Sequence, residues 1–246
     1  MTQSRRIRIG SRDALVANVV EHVSRAAHHA ICARGIFSIA LPGGSVAEAI
    51  VPVLAKASVP WQCVHVFWCD ERAVPESDLD SNVGLTRRLW PAVAGTSTAQ
   101  LHPMPGGAAN LSAAALAYME ELTAVVGTPP VLDTVLLGVG ADGHVASLFP
   151  GRPSLNVRHS AVVVESHAPK PPSARLTLTL PVLVGARETV VIAFGAEKAQ
   201  AIGRALEDPW ATTPVARALR EANRVLVMLD DEAAGQLTHT KLERLV

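Results

Sequence analysis

Cysteine is scarce: Cys32, Cys63 and Cys69 are the three in 246 residues. An odd, sparse set without C-x-x-C spacing does not make a disulfide framework. Reduced thiols in or near the core of a cytosolic protein are the expectation. Net charge is also lacking, with 22 Lys+Arg against 22 Asp+Glu. No global field is present to attract nucleic acid or an anionic membrane. No uninterrupted apolar run is long enough to span a bilayer. The first ten residues, MTQSRRIRIG, carry an early arginine pair, Arg5-Arg6, and Arg8, but no apolar region behind them, so they do not read as a secretory signal. These absences predict a soluble cytoplasmic protein with neither a nucleic-acid nor a membrane partner. Aromatic residues make up only 4 % of the chain while hydrophobic residues make up 49 %, so the core is mostly aliphatic and substantial.

The most informative stretch is Leu136–Pro150, LLGVGADGHVASLFP. An apolar run, Val131 to Leu137, enters a glycine-rich turn that ends at His144. This reads as a buried strand running into a ligand-facing loop. Gly138, Gly140 and Gly143 let backbone amides approach a ligand closely, at an entropic cost that packing alone rarely justifies.

Strand and helix patterns alternate along most of the chain. Arg6–Ile9 reads as a strand, and Ser11–Ala33 as a helix capped by Ser11 and stopped by Gly35. His22, His28 and His29 lie on that helix, but no carboxylate or thiol pattern supports a metal site, so they read as exposed helix residues. Ile36–Leu41 is a strand that ends in Pro42-Gly43-Gly44-Ser45, and a helix resumes from Val46 to Lys56. Strand, glycine pair, hydroxyl and helix start gather free amides and a positive dipole end around an anion. Neither a Walker A loop nor G-x-G-x-x-G is present there. Val64–Trp68 is a strand that leads into a turn, Asp70-Glu71-Arg72, and Ser81-Asn82 opens a helix through Leu89. Leu101–Met104 reads as a short strand, and Asn110 caps a helix over Leu111–Val125. Further strands fall at Ala161–Glu165, Arg175–Leu180, Thr189–Phe194 and, last, Asn223–Leu229. The acidic trio Asp230-Asp231-Glu232 suits the start of a following helix.

The alternation predicts a single α/β domain over residues 1–246. Its mainly parallel sheet is Rossmann-like with helices on both faces, and residues 161–180 form a small antiparallel or mixed sheet. In a parallel sheet, the loops at Pro42–Ser45, Asp70–Arg72, Gly138–His144 and Gly195–Lys198 share one edge. Together they supply free amides, carboxylates, an arginine, a histidine and a lysine. That set suits a small, phosphorylated, oxygen-rich molecule. Arg or Lys would hold the phosphate, carboxylates would take the hydroxyls, and His144 would transfer protons.

These residues resemble a known family. Asp70-Glu71-Arg72-Ala73-Val74-Pro75 with Ser81-Asn82 is similar to the D-E-R-x-V-P…S-N segment of 6-phosphogluconolactonases. Gly138 to Pro150 resembles that family's G-x-G-x-D-G-H-x-A-S-L-F-P signature. Pro171-Pro172-x-x-Arg175-Leu176-Thr177-Leu178-Thr179-Leu180-Pro181 and Gly195-x-x-Lys198-Ala199 match its later motifs in order. One departure is Leu41-Pro42 before Gly43, where the family has Ser or Thr. The resemblance implies the sugar-phosphate isomerase fold and hydrolysis of 6-phospho-D-glucono-1,5-lactone with no metal or organic cofactor. The protein would be a monomer or small homo-oligomer. His144 would be the general base, with Asp142 or Asp70 orienting it or holding sugar hydroxyls. Gly43, Gly44, Ser45, Asn82, Gly140 and Gly143 would line the substrate site. Arg175 and Lys198, or Arg72, would hold the phosphate.

Two rival readings use the same pattern. A glucosamine-6-phosphate deaminase would carry Glu-Tyr where Glu71-Arg72 stand, and Asn-Glu-Pro where Val145 to Pro150 run. A non-catalytic sugar-phosphate sensor would have a DNA-binding segment before the first strand, which begins here within ten residues.

Overall fold

Strands buried on both faces read as continuous aliphatic runs, because neither side can be polar. The computed structural model, which describes residues 4–91, 99–238 and 243–245, bears this out. Phe37–Leu41 (β2), Val64–Trp68 (β3) and Glu188–Ala193 (β9) are buried at every position, as is Thr134–Gly138 (β6) up to its last residue. With Ser4–Gly10 (β1), Gln100–Leu101 (β5), Arg224–Asp230 (β10) and Glu243–Arg244 (β11) they form an eight-stranded sheet. Its order is β11-β1-β10-β9-β6-β2-β3-β5, and every pairing is parallel. Side chains alternate across it, so Val135 and Leu137 join one apolar layer and Leu136 the other.

Helices cover both faces. Arg12–Arg34 (α1), Gly44–Leu54 (α2) and Asn82–Leu89 (α3) lie on one side. Leu111–Val126 (α4), Leu180–Gly185 (α5), Ala199–Glu207 (α6) and Pro214–Glu221 (α7) lie on the other. Their ends follow the expected chemistry. Ser11 accepts a hydrogen bond from Ala14 N, Asn110 accepts one from Ala113 N, and Gly35 closes α1 at φ 82°, a conformation that favours glycine.

A second sheet stands beside the carboxyl edge of the first. Asp70–Arg72 (β4), Val162–Glu165 (β7) and Arg175–Leu178 (β8) pair antiparallel in the order β4-β8-β7. The small antiparallel sheet expected from residues 161–180 is therefore present, with one strand more.

Several expectations are corrected. Asp70-Glu71-Arg72 is a strand rather than a turn, held by pairing to β8. The strand at Arg175 ends at Leu178, where Thr179 begins the approach to α5. Residues 231–236 turn without forming a helix. Asp230 accepts instead from Ala233 N and Gly195 N. Asn223–Leu229 is not the last strand, because β11 adds to β1. Helix α7 had no counterpart in the sequence reading. His22 is not exposed but buried against Glu188. Of the thiols only Cys69 is buried, and Cys32 is exposed on α1.

Candidate active site

Loops that leave the carboxyl ends of parallel strands converge on one edge, where ligands bind in open α/β sheets. Here a cleft of about 460 Å³ opens at that edge. Its walls come from the ends of β2, β3 and β6, from Lys198 after β9, and from the small sheet.

The loop after β6 folds around its own backbone. Gly140 N donates to His144 O, and Gly143 N donates to Gly140 O. Asp142 Oδ1 accepts from His144 N at 3.1 Å and lies 2.5 Å from His144 Nδ1. The imidazole and carboxylate are thus held from two directions. Burial pushes the Asp142 carboxyl up, but the His144 hydrogen bonds and charge outweigh it, and the group titrates below its ordinary value. An ionised Asp142 makes Nδ1 the protonated ring nitrogen and leaves Nε2 with its lone pair. Phe149 packs against the ring at 4.6 Å between centroids. Gly140 is required by close approach: a Cβ there would lie 2.0 Å from His144 Nδ1.

Beside this loop, at the end of the neighbouring strand β2, α2 begins at Gly44 with φ 61°, after Gly43 as N-cap. No side chain caps this end. Its first amides therefore lack the partner that a capping side chain would give, and Gly43, Gly44 and Ser45 all line the cleft. Gly43 rests against Asn82, where a Cβ would meet Oδ1 at 1.9 Å. Behind Ser45, Arg12 reaches the Ser45 carbonyl at 3.4 Å and stacks over Phe194.

Among the described residues four cations reach the cleft: Arg72, Lys170, Arg175 and Lys198. Arg175 is buried and donates to Pro172 O and Lys170 O, each at 3.0 Å, so it braces the loop that carries Lys170. Its guanidinium lies 5.7 Å from the Phe149 ring centre. Desolvation lowers its pKa, a shift that Arg72 increases and Asp70 opposes. Arg72 donates to Asp80 O at 2.7 Å. Lys198 lies 3.5 Å from Glu197.

The sequence-predicted residues separate into two groups. His144, Asp142, Asp70, Gly43, Gly44, Ser45, Arg72, Gly140, Arg175 and Lys198 all line the cleft. Asn82 and Gly143 do not. Asn82 Nδ2 donates to Asp70 O at 2.9 Å and approaches its carboxylate at 3.3 Å. Gly143 sits at φ 81° against Thr213. Asp70 makes no hydrogen bond to His144 among the described residues. Its carboxylate takes Ser147 Oγ at 2.5 Å and joins the signature loop to the small sheet. Glu71 points away, accepting from Ser81 Oγ, Asn82 N and Val83 N at the start of α3. Lys170 and Pro169 line the cleft without having been singled out. The available signal was a lysine among prolines five residues before Arg175, which reads as a plain connection until β7 and β8 are paired.

A parallel α/β sheet that gathers a histidine–aspartate pair and several cations at its carboxyl edge has the chemistry to bind a small anionic, oxygen-rich molecule. The model of the family described as Glucosamine-6-phosphate isomerases/6-phosphogluconolactonase matches residues 10–227, and the chain belongs to it. It is 38 % identical over 236 residues to a 6-phosphogluconolactonase of Mycobacterium tuberculosis, covering 92 % of this chain and 95 % of that one. It is 36 % identical over 215 residues to one from Synechocystis, covering 85 % and 88 %. The solved structure of 6-phosphogluconolactonase from Trypanosoma cruzi superposes with a TM-score of 0.86 at 29 % identity, over 97 % of this chain and 98 % of that one.

Proposed function

We infer that this protein hydrolyses 6-phospho-D-glucono-1,5-lactone to 6-phospho-D-gluconate, the lactone-opening step of the oxidative pentose phosphate pathway. Family membership and the high coverage of the lactonase relatives support the substrate. The observation that carries the mechanism is the Asp142–His144 pair, held from two directions at the mouth of a cation-lined cleft.

In this mechanism His144 Nε2 takes a proton from water as its oxygen bonds to C1 of the lactone. Asp142 fixes the tautomer and balances the imidazolium that forms. The carbonyl oxygen becomes an oxyanion facing the free amides of Gly44 and Ser45, or Arg72. When the C1–ring oxygen bond breaks, the imidazolium returns the proton to the departing oxygen. The new carboxylic acid then ionises. Arg175, Lys198 and Arg72 hold the phosphate, and this places C1 by the base. Lys170 reaches the same cleft on the loop that Arg175 braces. Asp70 lines the cleft with its carboxylate on Ser147 and serves the sugar hydroxyls and the loop rather than the imidazole.

No helix among the described residues is long and apolar enough to cross a membrane. A cytoplasmic location and a monomer or small homo-oligomer belong to the same proposal. The test is direct: purified protein should accelerate lactone opening above the spontaneous rate and release no ammonia from glucosamine 6-phosphate. Ammonia release without lactone hydrolysis would assign it to the other branch of the family.

A further inference from the structure

The amino edge of the sheet, opposite the active site, holds a second concavity of about 910 Å³. Arg6 on β1, Arg224 at the start of β10, Arg187 before β9 and Arg34 at the end of α1 line it, together with Arg8 and Arg25. Among the described residues the carboxylates in the lining are Asp133 and Glu188. In a chain with no net charge, this is a strong local excess of one sign.

The two carboxylates organise the arginines. Glu188 is 3.1 Å from Arg6 and 4.0 Å from Arg224, and it also takes His22. Asp133 is 2.6 Å from Arg34 and 3.2 Å from Arg187. Asp133 is itself fixed by Ser38 N and Ser38 Oγ. Each carboxylate is buried and shared between two guanidiniums. Arg6, Arg34, Arg187 and Arg224 each show an ion pair through one nitrogen only, among the described residues. A guanidinium has five N–H donors, so most of this capacity is unused. Arg25 and Arg8 are paired with Glu21 and Glu243, outside the lining. Arg34 also offsets the partial negative charge where α1 ends.

We propose that this arginine row is a second ligand site, for a small molecule carrying a linear di- or triphosphoryl group. The chemistry is the bidentate fit of guanidinium to phosphate oxygens. The row selects several linked phosphates over one. Arg6 and Arg224 converge on Glu188, and Arg34 and Arg187 converge on Asp133; the two pairs stand on neighbouring strand starts, about 4.8 Å apart, so each pair faces a different phosphoryl group of a linked chain. The carboxylates hold the guanidiniums in place beforehand, which lowers the ordering cost of binding. The volume falls within the range of small-molecule sites, roughly 300–1,000 Å³. Strands of five to seven residues separate this edge from the catalytic cleft, about 17–23 Å at 3.3 Å per residue. One ligand cannot occupy both.

The test is calorimetric titration of pyrophosphate and tripolyphosphate into the full-length protein, with 6-phosphogluconate present in excess to fill the catalytic cleft. Binding should be 1:1, at least tenfold tighter than that of orthophosphate, and weakened at least tenfold in the double variant Arg187→Gln/Arg224→Gln. The same variant should keep full lactonase activity, which shows that it is folded. Lys198→Ala, altered in the catalytic cleft, should bind pyrophosphate as the wild type does, and this arm stands whether or not the lactone is the substrate. The proposal is overturned if the wild type does not bind or if the double variant binds equally well. It is also overturned if 6-phosphogluconate or Lys198→Ala abolishes binding. Concentration-dependent self-association that the double variant abolishes, without pyrophosphate binding, would assign the face to a contact between copies.

Discussion

At the scale of single residues, His144 depends on what surrounds it. Asp142 fixes its tautomer, Phe149 supports the ring, and Gly140 leaves room for Nδ1. Gly140 does not have a positive φ, so Gly140→Ala tests close approach without backbone strain. The added methyl must displace the imidazole, and a shift of about 1 Å can cost about 100-fold in rate. The expected result is a fall in kcat of at least tenfold with little change in KM and a circular-dichroism spectrum like the wild type's. An unchanged kcat would show that the ring position does not matter. Lys198 lines the same cleft and would bind phosphate alike in ground and transition states, so Lys198→Ala should raise KM and leave kcat nearly intact. Steady-state kinetics on the lactone check this, and an unchanged KM removes Lys198 from the site.

At the scale of elements, the link between β4 and α3 shows how a strand can both line a cleft and hold a helix. Asp70 faces Ser147 and the cleft, while Glu71, the next residue, faces the start of α3. Alternation along a strand produces this division. Burial raises the Glu71 carboxyl, opposed by hydrogen bonds from Val83, Asn82, Arg72 and Ser81. Glu71→Ala would leave those buried donors without an acceptor. The cost should be about 1–3 kcal/mol, read as a lower midpoint in urea, and an unchanged midpoint would refute the capping role. In the sequence Asp70-Glu71-Arg72 reads as a turn because a three-residue strand has no period of its own. Its pairing partner, β8, lies about a hundred residues further on. Strands β2, β3, β6 and β9 were legible because both of their faces are apolar. Helix α7 went unread although Thr213-Pro214, its cap and first residue, is a standard start signal. The glycine loop was visible as a site in the sequence. Asn82 was also visible, but its hydrogen bond to Asp70 and its contact under Gly43 depend on the tertiary fold. Lys170 is hidden for the same reason: its loop is tied beside the cleft by Arg175, which reaches back to the Lys170 carbonyl, and by Ala168 N on Ser173 O.

At the scale of the whole molecule, the two edges of the sheet carry different chemistry. The carboxyl edge holds glycine-rich loops and the Asp142–His144 pair, and the amino edge holds ion pairs that tie α1 to β9 and β1. Burial pushes the Glu188 carboxyl up, but the His22 hydrogen bond and the charges of His22, Arg224 and Arg6 outweigh it, and the group titrates below its ordinary value. A carboxyl lowered in the folded state adds stability above its unfolded pKa, and that stability is lost as pH falls through the folded value. Glu188→Gln should therefore lower stability at neutral pH by about 1–3 kcal/mol. In a chain of this size that is about 2–4 °C in Tm per kcal/mol. The difference from wild type should shrink as pH falls through the acid range, and thermal melts at neutral and acid pH that differ equally would contradict the assignment. The central claim, however, concerns the other edge: that His144 is the base which opens the lactone. A general base contributes roughly 10²–10⁴-fold. The decisive measurement is the rate of 6-phosphogluconolactone hydrolysis by purified His144→Ala, corrected for spontaneous opening. A fall of at least 100-fold with the fold intact is expected, and hydrolysis at the wild-type rate would contradict the account.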